Sequence, residues 1–152
     1  MYPLAQTRRD IRFANVRGTP YNGNMNRSEI TYHRDIFIPT NITVPKRVVG
    51  VVYADHAVKA TADDRYGSIP KAREVDLAHP SVQIIEVTVN AETRRLTKIL
   101  IRLPHPTRER DDIVLVLRTP ALKTGPWLAV TTWVNRRDDK HRTLNHSKYA
   151  TR

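Results

Sequence analysis

Two stretches in the second half of the chain alternate apolar and polar residues with a period of two. Ile85, Val87 and Val89 share one side of residues 82–89. Ile99, Ile101 and Leu103 share one side of residues 97–103, with Lys98 and Arg102 opposite. This spacing predicts half-buried strands. Residues 113–117 are continuously apolar, as in a strand covered on both faces, and residues 128–134 alternate again through Val130, Thr132 and Val134. Asn90-Ala91-Glu92-Thr93 is the expected turn between the first two strands. Four strands in succession, with short connections and no helical pattern between them, predict an antiparallel meander. Its expected core is Ile85, Val87, Ile99, Ile101, Leu115, Leu117, Val130 and Val134.

Upstream, alanines recur at helical spacing from Ala54 to Tyr66, and Gly67 supplies a stop. Ser68 can cap a second short helix with Pro70 in its first turn and Glu74, Val75 and Leu77 beyond it, ending before Pro80. The expected fold is therefore α+β, with two short helices packed on a four-stranded antiparallel meander. Residues 1–26 show neither period, and Gly18 to Asn24 is rich in turn formers. Ile30-Thr31-Tyr32, Ile36-Phe37-Ile38 and Val48 to Val52 read as short edge strands separated by Pro39 and Pro45. Residues 1–50 are expected to form an extended N-terminal arm lying on its own domain or on a partner, and residues 51–152 the compact domain.

Charge adds a partner class to this picture. Lys and Arg number 26 against 15 Asp and Glu, a net +11. Residues 1–50 carry eight basic and three acidic side chains (+5), residues 51–135 twelve and ten (+2), and residues 136–152 six and two (+4). A balanced centre between basic ends favours a polyanion, RNA or DNA, or else an acidic protein surface. The bland alternative is a pair of solvated basic tails. With no cysteine, a disulfide framework and thiolate metal sites are excluded. No run approaches a membrane span, and the N-terminus lacks the apolar stretch of a secretory signal. The expected location is the cytoplasm, or a particle assembled there.

Three constellations carry candidate chemistry. After the last strand, residues 136–149 hold Arg136, Arg137, Lys140, His141, His146, Lys148 and Tyr149, groups that neutralise phosphates, stack on bases and move protons without a metal. In the first helix His56 and Lys59 are three residues apart and can face one anion; a surface role is the plain alternative. On the second strand, Arg102 and Lys98 would hold an oxyanion if their face meets the C-terminal segment. His33, His79 and His105 lie in loops beside prolines and receive no role. No His-x-x-x-His or paired acidic spacing calls for a metal, and no Gly-rich phosphate loop is present, so no cofactor is expected.

A histidine-bearing helix, then Tyr66-Gly67-Ser68-Ile69-Pro70 leading into a second helix, then a strand meander ending in Thr131-Thr132-Trp133-Val134-Asn135 resembles the toxin-like RelE/barnase/colicin ribonuclease superfamily over residues 53–149. Such domains occur in phage and mobile-element proteins. The resemblance implies metal-independent RNA cleavage leaving a cyclic phosphate, with His56, Lys59, Arg102, Thr132, His141 and Tyr149 in the matching positions. The long arm and the residues after Asn135 depart from that pattern. The first expectation for function is thus an RNA-binding domain, RNA ahead of DNA, acting as an endoribonuclease. The second is a non-enzymatic component of a phage or virus-like particle whose residues 1–50 pack on neighbouring subunits. A DNA-binding regulator is the weakest, since no helix-turn-helix with a basic recognition helix is visible.

Overall fold

The apolar periods become strands, and the pairing between them joins distant parts of the chain. In the computed structural model, residues 28–63, 68–122, 124–139 and 145–152 are described. The chain divides into units 1–30 and 31–152, and the account below concerns the second. Its strands are β1 (Glu29–His33), of which Thr31 to His33 belong to this unit, β2 (Arg47–Val48), β3 (Val51–Tyr53), β4 (Val75–Asp76), β5 (Gln83–Asn90), β6 (Leu96–Pro104), β7 (Asp111–Arg118) and β8 (Trp127–Arg136). One α-helix, α1 (Asp55–Asp63), is found among the described residues, with a 3-10 turn at His146–Lys148.

The expected fold of two helices on a four-stranded meander is not what forms. The main sheet has six strands in the order β1-β5-β6-β7-β8-β3, and β2 and β4 make a second, two-stranded sheet. Strands β5 to β8 pair antiparallel in chain order, but β3 joins β8 in parallel, Val51 opposite Trp127 and Tyr53 opposite Ala129. The main sheet is therefore mixed. Between β3 and β8 lie α1, β4 and three strands, a separation that no local pattern announces.

The second helix is replaced by extended chain for a reason visible in its side chains. Val75 and Leu77 are both buried, a spacing of two that suits a strand. Val48 and Val75 pair across β2 and β4, the Leu77 N–H donates to the Lys46 carbonyl, and Arg47 forms an ion pair with Glu74. Upstream, the Ala72 N–H donates to the Tyr53 hydroxyl at 2.8 Å. Every backbone group tied up in this way is lost to a helix.

Helix α1 begins with the Val58 N–H donating to the Ala54 carbonyl, and Asp55 complements the dipole in its first turn. It packs on β8, with Ala57 fully buried. Ile69, held by its N–H to the Thr61 carbonyl, packs on Ile113, Val134 and Leu103. The helix and the chain after it thus cover the sheet face that bears Ile99, Ile101, Leu115 and Leu117, all fully buried. Six of the eight expected core residues are buried on this face; Ile85 is buried too, but a register shift between Ile84 and Glu86 turns it to the cavity on the opposite face, and Val130 is half-exposed. Val116 pairs with Thr131 and Leu117 with Ala129, so Val130 is an unpaired bulge residue. The bulge reverses the alternation, and Ala129 and Trp127 take the inward positions instead. Among the described residues no helix is long and apolar enough to cross a membrane.

Candidate functional site

On the face opposite α1, register brings side chains from four strands into rows. Lys98, Leu100 and Arg102 alternate along β6 on this face. Lys98 lies directly opposite Arg118, Arg102 opposite Val114, and Val114 opposite Trp133. A cavity of about 760 Å³ opens here, lined on the sheet by Glu86, Leu100, Arg102, Val114 and Trp133. Its rim comes from His33 to Asp35, Arg137, Asp139 and the C-terminal Asn145, Lys148 and Tyr149.

Arg102 forms the floor. Its Nη2 lies 3.1 Å from Oδ2 of Asp112 and donates to the Arg136 carbonyl, while Nη1 donates to the Asp139 carbonyl. Arg137 Nε reaches the other Asp112 oxygen at 3.0 Å. One buried carboxylate between two guanidinium groups leaves the cluster one charge positive. Arg102 is 9% exposed, and its Nε is buried without a hydrogen-bond partner.

The C-terminal segment is fixed to the other side of the cavity. Asn145 caps the 3-10 turn through Ser147, and the Ala150 N–H donates to the Thr31 carbonyl. The Tyr149 hydroxyl donates to Oε2 of Glu86 at 2.6 Å, and its ring meets His33 edge-on at 5.0 Å. Burial, and then the hydrogen bond to and charge of Glu86, push the Tyr149 hydroxyl well above the usual tyrosine range. It is a donor at neutral pH, not a base.

The expected site residues separate into two groups. Arg102, Arg137, Lys148 and Tyr149 line one cavity, Lys98 shares its sheet face, and Arg136 adds only its carbonyl, its side chain being exposed. His56 and Lys59 are exposed on α1 and do not line the cavity. Thr132 is one residue from Trp133, so it faces the opposite side of β8, buried, with its hydroxyl donating to the Val114 carbonyl. A groove floored jointly by Arg102 and Thr132 does not form. Lys140 and His141 lie outside the described residues.

Sequence reasoning passed over His33, Glu86, Asp112 and Trp133. Asp111 and Asp112 did leave a signal: two acidic residues opening an apolar strand must find partners if buried, and Arg108, Arg102 and Arg137 supply them. The three histidines given no role share one local contact. Nδ1 of His33, His79 and His105 each accepts the backbone N–H two residues on, from Asp35, Ser81 and Thr107. No family model, curated protein or solved structure matches this chain.

Proposed function

We propose that this protein binds RNA on the sheet face opposite α1. The observation that carries the reading is the convergence of Arg102, Arg137 and Lys148 on one cavity that also holds Trp133, with Lys98 on the same sheet face. Trp133 in the same cavity offers a stacking surface beside the cations. Cleavage needs an acid and a base within reach of one phosphodiester. The titratable groups at the cavity that suit it are Glu86 and His33, with Tyr149 as a hydrogen-bond donor.

The test is the binding of a short fluorescein-labelled RNA by anisotropy. Lys98, Arg118, Lys148 and the net charge of the Arg102–Asp112–Arg137 cluster amount to roughly four phosphate contacts, so affinity should fall about 50-fold between 50 and 200 mM salt. Absence of binding at the lower salt would end the reading and leave the structural role in an assembly.

A further inference from the structure

The cavity has a shape and a chemistry that a double helix does not fit. It is within the range of about 300–1,000 Å³ typical of pockets for small ligands. An A-form duplex presents a broad, shallow minor groove and keeps its bases stacked inside, so it can lay phosphates across a surface but cannot fill a pocket. Trp133 stands in this pocket in the same row as Arg102, separated from it by Val114 alone. Lys148 and Arg137 stand at the rim.

We propose that the cavity receives an unpaired nucleotide, its base against Trp133 and its phosphate between the Arg102–Arg137 pair and Lys148, which makes single-stranded RNA the preferred ligand. The proposal rests on the RNA-binding reading and narrows it. Two observations beyond the pocket itself point to a ligand. Arg102 is nine-tenths buried at the floor, and its Nε–H meets no acceptor although both other nitrogens do. Buried donors in folded proteins nearly always have partners, and an acceptor arriving through the cavity would supply this one. Second, the Asp112 carboxylate is shared by two guanidinium groups, so this corner of the floor holds two cations to one anion, while Glu86, Asp35 and Asp139 line other parts of the cavity. A phosphate matches it; a neutral sugar or an apolar peptide does not.

Anisotropy titrations of the full chain with a labelled single-stranded RNA and with an RNA duplex of the same length decide the matter, repeated on Trp133→Leu and Trp133→Phe. Single-stranded RNA should bind about tenfold or more tightly than duplex; W133L should lose about tenfold on the single strand, and W133F should keep most of the affinity, because stacking needs only an aromatic face. Equal affinity for both forms, or W133L unchanged, overturns the nucleotide pocket while the broader RNA reading stands. Failure of both RNAs to bind overturns both. Should W133L not fold, the ratio of the two affinities in the unaltered protein and in W133F gives the answer.

Discussion

Arg102 and Asp112 meet at 3.1 Å with side chains 10% and 7% exposed, a buried ion pair on the sheet face away from the helix. Removing one partner leaves the other charge without compensation. Asp112→Ala is expected to destabilise by about 3–5 kcal/mol, whereas Arg102→Met combined with Asp112→Leu should recover most of that loss. Urea denaturation of the two variants against the unaltered protein measures both. A cost below about 1 kcal/mol for Asp112→Ala would mean that water solvates the Arg102 charge left behind.

Ile101 is fully buried on β6, while Val130 sits unpaired in the β8 bulge. Ile101→Ala should therefore cost about 2–5 kcal/mol and Val130→Ala much less, although the two positions look alike in the sequence. Equal losses in a thermal or urea melt would contradict the bulge.

That pair shows where the sequence is informative. Period-two runs located β5, β6 and β8, and a continuous apolar run located β7, which is buried on both faces; both patterns are local. The bulge at Val130 was not legible, since it depends on how β7 and β8 align. Val75 and Leu77 were misread because Ser68 and Pro70 imitate a helix start, while the pairing that holds them extended comes from Arg47 and Val48. Half of the site was visible as cations on β6 and after β8. The separation of Arg102 from Thr132 follows from register, and the role of His33 from a loop, neither of which periodicity encodes.

Stability should also depend on the His105 imidazole. Burial, then the charge of Arg108, hold it below its ordinary value of 6.5, against an opposing pull from Asp111. The neutral ring is the folded form, with Nδ1 accepting from the Thr107 N–H. Unfolding then takes up a proton, so this contribution is present above the ordinary value and is lost as pH falls below it. Denaturation midpoints measured at about pH 7.5 and pH 5 should differ more for the unaltered protein than for His105→Gln. An identical difference would assign the acid sensitivity to another group.

Tyr149 should be the last described tyrosine to ionise, since its hydroxyl donates to Glu86. The unfolded chain ionises first, so stability falls as pH rises above about 10. An ultraviolet titration should show a late tyrosine that disappears in Tyr149→Phe and moves to lower pH in Glu86→Gln. A titration unchanged by Glu86→Gln would break the link.

The central claim is that RNA lies on the face bearing Lys98, Arg118 and Arg102, not on the helix face bearing His56 and Lys59. Affinity for single-stranded RNA measured against salt concentration, for Lys98→Gln with Arg118→Gln and for His56→Ala with Lys59→Gln, separates the two faces. The first pair should reduce the logarithmic salt slope from about −2.8 to about −1.4, and the second should leave slope and affinity unchanged. The reverse result, with binding lost from the helix variant and kept by the sheet variant, would contradict the account.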